Sequence, residues 1–286
     1  MPERVLVVGV GFMGGSFARA LKASGFKGRV YGYDVNPENL KKALELGLLD
    51  EGTVKIEEVK KFEPDLVMLS SPVRTFVPLA ERLAPLLPAE STVTDQGSVK
   101  GKLVYELERI LGERFVGGHP IAGTEKSGPE HSLAELYRGK KVVLTPTERT
   151  DYRRLEEVKR LWERLGAKVE LMSPELHDFV FGAVSHLPHA VAFALVDALI
   201  SLSDEVDLFR YPGAGFKDFT RIAKSDPVMW RDIFITNREN VLKAIEAYEA
   251  SLKKLKELIK EGKLEELTEY LKKVKLKRTE MEKWSG

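Results

Sequence analysis

The stretch RVLVVGVGFMGGSFARAL, beginning at Arg4, limits the fold more than any other part of the chain. Val5 to Val8 form an apolar run of strand type, Gly9, Gly11 and Gly14 follow at GxGxxG spacing, and Ser16-Phe17-Ala18 then opens a segment of helical period. In a strand that turns directly into a helix each glycine has a task. Gly9 makes the tight turn, Gly11 lets the backbone approach a pyrophosphate, and Gly14 lets the helix close on the strand. Phosphates then sit at the helix N-terminus, where unpaired amides favour an anion. The next strand, RVYGYD, ends at Asp34, twenty positions after Gly14. A carboxylate there accepts hydrogen bonds from ribose hydroxyls and repels a 2′-phosphate, so the site is expected to take NAD rather than NADP. Phe12 and Met13, inside the glycine turn, are counted with it.

Further along, strands alternate with helices. DLVMLSSP (65–72), STVTDQ (91–96), RFVGGHP (114–120), KKVVLTP (140–146) and AKVELM (167–172) read as strands. PENLKKALELG, SVKGKLVYELERILG and YRRLEEVKRLWERLG read as helices, each closing on a glycine. The pattern predicts an α/β domain over residues 1–172, a mainly parallel, doubly wound sheet of Rossmann type. Ligands of such sheets bind at the carboxyl ends of the strands. Ser70-Ser71-Pro72, Asp95-Gln96-Gly97-Ser98 and Gly118-His119-Pro120 are therefore expected to face one crevice. The segment HPIAGTEKSG, His119 to Gly128, has neither helical period nor strand alternation and reads as a shaped loop bearing Thr124, Glu125, Lys126 and Ser127.

Composition narrows the partners. Lys and Arg total 45 against 44 Asp and Glu, so there is no basic excess of the kind that marks nucleic-acid or anionic-membrane binding, and a small-molecule substrate is expected. The absence of cysteine excludes disulfides, thiol catalysis and Cys-based zinc sites, while 31% charged residues resemble heat-adapted proteins. The chain opens on a strand rather than on a basic front with a cleavage site, and a cytoplasmic location is expected.

Beyond residue 172 the pattern changes. Ser173-Pro174 reads as an N-cap with a first-turn proline, and a second, all-helical domain is expected over 173–286. Phe179 to Ile200 is apolar on nearly all sides, as suits a helix buried in an assembly. Its length falls in the membrane-spanning range, but Ser185, His186, Pro188 and His189 interrupt it and no basic flank accompanies it, so no membrane span is expected. A second long helix is predicted from Asp226-Pro227, over roughly Val228 to Ile259. Such helices in a small domain suggest a homodimer.

The segments GVGFMGGS, SSPV, TDQGSVKG, GHPIAGTEKSG, SHLPHAVAFAL and GFKDFTRIAKSDPVMWRDI stand in one order, and together resemble the prephenate and arogenate (cyclohexadienyl) dehydrogenases of tyrosine biosynthesis over almost the whole chain. The resemblance implies an NAD-binding N-terminal domain, a helical dimerisation domain and oxidative decarboxylation of prephenate to 4-hydroxyphenylpyruvate. It also implies that His119 contacts the substrate hydroxyl, that Ser98 helps to orient the pair, that Arg221 binds a substrate carboxylate and that His189 hydrogen-bonds the substrate side chain. The chemistry is compatible. A ring carbinol must lose a hydride and a proton, which a neutral imidazole can accept, and a dianionic substrate suits a guanidinium. Thr124 and Glu125 complete the substrate-binding set, and Ser71 and Pro72 the cofactor-binding set. Glu125 and Lys126 could form a gate with Asp218 and Arg221, although surface ion pairs would give the same pattern. Prephenate is expected over arogenate because Phe179 to Val196 offers no carboxylate for an ammonium, unless Glu125 reaches the pocket.

His186 and His189 are three apart, a spacing that can chelate metal, but no carboxylate pattern accompanies them and hydride transfer needs no metal; none is expected. His177-Asp178 reads as a capping or interdomain pair, His131 as an exposed loop residue, and KKVKLKRTEMEK as a solvated helix end. Two other classes share the two-domain plan. A β-hydroxyacid or imine-type reductase relies on a GxxGxGxxxK helix that nothing after residue 172 supplies, and a non-catalytic NAD sensor has no need of His119, Ser98 and Arg221 together.

Overall fold

The computed structural model describes residues 2–203 and 206–284. Its strands are β1 (Arg4–Val8), β2 (Arg29–Tyr33), β3 (Glu51–Thr53), β4 (Leu66–Leu69), β5 (Thr92–Asp95), β6 (Phe115–Pro120), β7 (Lys141–Thr145) and β8 (Lys168–Leu171). They form one sheet in the order β3-β2-β1-β4-β5-β6-β7-β8. Every pairing is parallel except β6 with β7. That exception follows from the connection, residues 121–140, which carries no crossover helix and leaves β7 to start at the edge where β6 ended.

Successive strand side chains point to opposite faces, so Val5 and Val7 enter one core while Leu6 and Val8 enter the other. The first core is closed by α1 (Phe12–Ala23), α2 (Pro37–Glu45) and α5 (Tyr152–Arg164), through Phe17, Leu40 and Trp162 among others. The second is closed by α3 (Phe76–Leu83) and α4 (Gly101–Leu111), through Phe76 and Leu107. Burial on both faces explains why the central strands β1 and β4 read as continuous apolar runs. After β3 the chain returns to the other side of β1 to form β4, which places the topological switch, and hence the crevice, at the carboxyl ends of β1 and β4.

Pro174–Ser201 is one helical run made of α6 (Pro174–Phe181), a π-helical turn (Gly182–His186) and α7 (Leu187–Ser201). The Ser173 side chain caps it by accepting the Leu176 N–H at 3.2 Å. By length and composition alone this run could cross a membrane. Its first turns, however, bury His177 and Asp178 against the strand-end loops of the sheet, and Phe179, Val184 and Ile200 remain exposed on its outside.

After α8 (Ala214–Thr220), the long helix expected over Val228 to Ile259 is two helices, α9 (Pro227–Thr236) and α10 (Arg238–Lys260). The break falls at Asn237, whose backbone leaves the helical region and whose side-chain amide donates to the Asp178 carbonyl at 2.8 Å. The charge run KKVKLKRTEMEK belongs largely to a further helix, α11 (Leu264–Met281), and is exposed. Contact density divides the chain into two compact units, Met1–Arg238 and Glu239–Gly286. The first contains the sheet with α1 to α9. The second contains most of α10 together with α11, with the Lys254 ammonium 5.6 Å from the centre of the Tyr270 ring.

Candidate active site

β1 runs into Gly9, which has φ +90° and whose absent Cβ would lie 2.7 Å from the Ser71 amide nitrogen. A Cβ on Gly14 would overlap the Gly9 carbonyl oxygen. Only glycine fits either position. Gly11 differs: open space surrounds its Cα, and it begins α1 without a side-chain cap, so the first amides of the helix are available to a phosphate.

Asp34 follows β2 and is 8% exposed. Its Oδ2 accepts the Val10 N–H at 2.7 Å and its Oδ1 accepts the Asn36 N–H at 2.8 Å. The carboxylate therefore pins the glycine turn, a task its spacing from Gly14 does not reveal, and each oxygen retains a lone pair with which it could meet a ribose hydroxyl. Phe12 is buried in the core and can offer a nucleotide only its backbone. The Met13 carbonyl accepts the Tyr137 hydroxyl at 3.1 Å, and the same hydroxyl donates at 2.7 Å to Gln96, whose amide reaches Ser70 Oγ at 2.7 Å. Gln96 and Tyr137 thus tie the β4 and β5 ends to α1, although only Gln96, within DQGS, carried any sequence signal. Ser71 Oγ lies 2.8 Å from Thr75 Oγ1, and Pro72 is exposed beside it. This arrangement of turn, helix N-terminus and carboxylate fits a dinucleotide.

His119, in β6, is 8% exposed. Its Nδ1 lies 2.8 Å from Nε2 of His177, whose own Nδ1 lies 2.9 Å from Asp178 Oδ1. The same oxygen accepts the Lys100 N–H at 2.7 Å. Phe181 meets the His119 ring edge-on, with centroids 5.0 Å apart. Beneath this group the buried Lys100 ammonium is paired with the Asp95 carboxylate, which also accepts the Gly97 and Gly118 amides at 2.9 Å each. Burial pushes Asp95 up, and the ammonium and amides oppose it.

Burial also holds His119 well below the ordinary imidazole range, reinforced by His177, Lys100 and His186. It lowers His177 to about 2 and His186 to about 4, and raises Asp178 to about 6. Near neutral pH these imidazoles are uncharged and the Asp178 carboxylate is ionised. His177 and Asp178 are thus not a cap: Ser173 caps the helix, and the pair reaches across to the sheet.

Ser98 follows β5 and is half-buried; the hydrogen-bonding partner of His119 in this structure is His177 rather than Ser98. His189 stacks on Trp230, with centroids 3.6 Å apart and planes 20° from parallel, and its Nδ1 lies 2.9 Å from the Ser185 carbonyl. A carbonyl only accepts, so Nδ1 carries the hydrogen and Nε2 of the neutral ring is an acceptor. Burial lowers His189 as well. A neutral His189 is therefore set to accept a hydrogen bond at Nε2 rather than to donate one.

Of the four residues of the expected gate, the structure brings together Glu125 and Arg221, at 3.3 Å, with the Arg221 side chain 60% exposed. Thr124 is exposed in the same loop, its Oγ1 accepting the Lys126 N–H at 3.2 Å, and His131 is exposed as expected. Two surface clefts, one lined by Leu87, Arg114 and Arg154 and one by Tyr152, Arg153 and Arg160, lie at the amino ends of the strands, opposite these residues.

Residues 17–171 match the family model for the prephenate dehydrogenase nucleotide-binding domain, and residues 173–273 match the model for the prephenate dehydrogenase dimerization domain. The chain is 35% identical over 280 residues to the prephenate dehydrogenase of Bacillus subtilis, covering 96% of this chain and 75% of that one. Its structure is similar to that of prephenate dehydrogenase from A. aeolicus in complex with hydroxyphenyl propionate and NAD+, at 69% identity and TM-score 0.94 over 97% of each chain. It is also similar to Synechocystis arogenate dehydrogenase, at 30% identity and TM-score 0.80 over 96% of this chain and 99% of that one. With one model matching the chain from within α1 to β8 and the other the helices after it, the chain belongs to the prephenate dehydrogenase family.

Proposed function

We propose that this chain is an NAD-dependent prephenate dehydrogenase, an oxidoreductase that converts prephenate to 4-hydroxyphenylpyruvate and carbon dioxide in tyrosine biosynthesis. The observation that carries the reading is His119, a neutral, buried imidazole near the carboxyl end of β6, on the same side of the parallel strands as the glycine turn after β1. Bound NAD supplies the hydride acceptor. His119 takes the hydroxyl proton as the hydride leaves the carbinol carbon. After the carboxylate departs as carbon dioxide and its bonding electrons aromatise the ring, His119 returns the proton to the ring oxygen. The enzyme thus ends with the proton inventory it began with. Ser98 steadies the hydroxyl, and Thr124 lies at the mouth of the site.

Arg221 binds a substrate carboxylate, which must displace Glu125 from the guanidinium. Asp34, Gly9, Gly11, Gly14, Ser71, Pro72 and the backbone of Phe12 and Met13 hold the dinucleotide. Residues 173–286 form the substrate and dimerisation part. Support for a homodimer, which we place in the cytoplasm, comes from the match to a dimerization domain and from exposed apolar side chains, including Phe179, Val184, Leu252, Leu271 and Val274.

A second substrate reading has a specific observation behind it. Nε2 of His189 accepts rather than donates, and Glu125 lies beside Arg221, so an ammonium in place of the keto group would find an acceptor and a carboxylate. Prephenate remains the primary assignment because the helical run from Phe179 to Val196 contains no acidic residue. Following NADH formation with prephenate, arogenate and small hydroxyacids tests this. Prephenate should have the highest efficiency; arogenate equal or better would move the assignment to arogenate, and turnover of hydroxyacids alone would reject both.

A further inference from the structure

His177 is fully buried, and Asp178 beside it nearly so, at a point where apolar side chains would fill the space without desolvating an imidazole and a carboxylate. Fastening α6 to the sheet does not require the His177 ring, since the Lys100 N–H donates to Asp178 Oδ1 and the Asn237 amide to the Asp178 carbonyl. Its ring packs against Phe181, centroids 4.6 Å apart, a contact any aromatic ring could make, and its one further polar contact is the 2.8 Å approach of its Nε2 to Nδ1 of His119.

The hydrogens in this line can be assigned from one end. An ionised carboxylate only accepts, so Nδ1 of His177, 2.9 Å from Asp178 Oδ1, carries a hydrogen. The neutral ring then has its lone pair on Nε2. That lone pair faces His119 Nδ1, which must therefore carry a hydrogen, and the remaining lone pair of His119 lies on Nε2. We propose that Asp178 and His177 form a positioning relay that holds His119 in the tautomer able to take the substrate's hydroxyl proton. The inference rests on the function proposed above. In the other tautomer, Nε2–H would present a donor to the hydroxyl and no base. When Nε2 takes the proton, the Nδ1–H of the imidazolium still donates to His177, and the Asp178 carboxylate lies at the far end of the line. No proton needs to travel beyond His119.

Two measurements test the relay. The chain has five histidines, His119, His131, His177, His186 and His189, so nitrogen NMR of ring-labelled wild-type protein can assign each tautomer near neutral pH. Hydrogen on Nδ1 and none on Nε2 of His119 is expected; the reverse tautomer overturns the proposal whatever the substrate proves to be. In parallel, His177→Phe removes the acceptor while keeping ring volume beside Phe181. It should lower kcat roughly tenfold to a hundredfold, the cost common when the outer partner of a functional histidine is lost, with KM for prephenate and the dissociation constant for NAD little changed. His177→Gln, whose carbonyl can accept from Nδ1, should recover most of that loss. A purely structural role predicts lowered thermal stability in both variants with near-normal kcat in the folded fraction, and would overturn the relay. If His177→Phe does not fold, judged by loss of NAD binding, the wild-type tautomer decides. Wild-type enzyme inactive on prephenate would instead count against the proposed function, leaving the tautomer measurement valid.

Discussion

His119 stands out in the sequence because a histidine beside a proline at a strand end, before an aperiodic loop, serves no folding purpose. As the proposed base, its replacement in His119→Asn should lower kcat by roughly 10² to 10⁴, the usual contribution of a positioned general base, while NAD binding measured by titration stays intact. Near-normal turnover would remove it from the mechanism. Arg221→Ala should raise KM for prephenate roughly tenfold to a hundredfold, as expected for loss of one charge-assisted hydrogen-bonding partner, with kcat less affected; an unchanged KM would leave Arg221 as half of an exposed ion pair with Glu125. The individual residues were legible, but their partners were not. His177 is separated from His119 by 58 positions, and no local pattern ties them together. Likewise, Asp34 was readable as a ribose ligand from its spacing, whereas its bond to the Val10 amide depends on how the glycine turn folds back over β2. The direction of hydrogen bonding at His189 was also hidden, because the Ser185 carbonyl that sets it belongs to the helix backbone.

The elements that repeat a period were legible, and those that interrupt one were not. β1, β2 and β4 to β8 coincide with segments that read as strands, whereas β3 has three residues, too few for any pattern to emerge. The strand, glycine turn and helix of GVGFMGG form the firmest unit, and the structure shows why: a methyl group at Gly14 collides with the Gly9 carbonyl. Gly14→Ala should therefore cost about 1–3 kcal/mol, the usual penalty for overpacking, and weaken NAD binding. A thermal melt together with an NAD titration checks both, and wild-type values in each would mean that the turn has slack absent from this structure. The break at Asn237 was unreadable because the residues on either side both read as helix; it coincides with a tertiary bond from the Asn237 amide to the Asp178 carbonyl. The π-helical turn over Gly182–His186 directly precedes Pro188, whose missing N–H removes an i→i−4 bond to the Val184 carbonyl, so here the interruption does have a sequence mark.

For the whole molecule, the buried histidines link stability to pH. Burial lowers His119, His177, His186 and His189 below the unfolded imidazole value of 6.5. The unfolded chain therefore binds more protons than the native one as pH falls below that value, so this contribution is complete above about pH 6.5 and is lost in acid. Asp178 acts in the opposite direction: raised from 3.8 to about 6, it favours the native state below 3.8 and loses that contribution as pH rises through about 6. Asp95, also raised by burial, acts in the same direction as Asp178. With four histidines against these two carboxylates, the melting temperature should fall as pH is lowered from about 7 to about 5; a flat profile would mean that the carboxylates offset the histidines or that the histidines are charged or solvated in the native state. The α/β architecture could be anticipated because alternation of strand and helix is written along the chain, whereas the division at Arg238/Glu239 depends on contact density that sequence pattern does not record. The joint requirement for the dinucleotide crevice, His119 and Arg221 is tested most directly by steady-state NADH formation with purified protein, prephenate and NAD. High efficiency with this pair, falling with arogenate and with NADP, is predicted; no NADH from prephenate and NAD by folded, NAD-binding protein would contradict it.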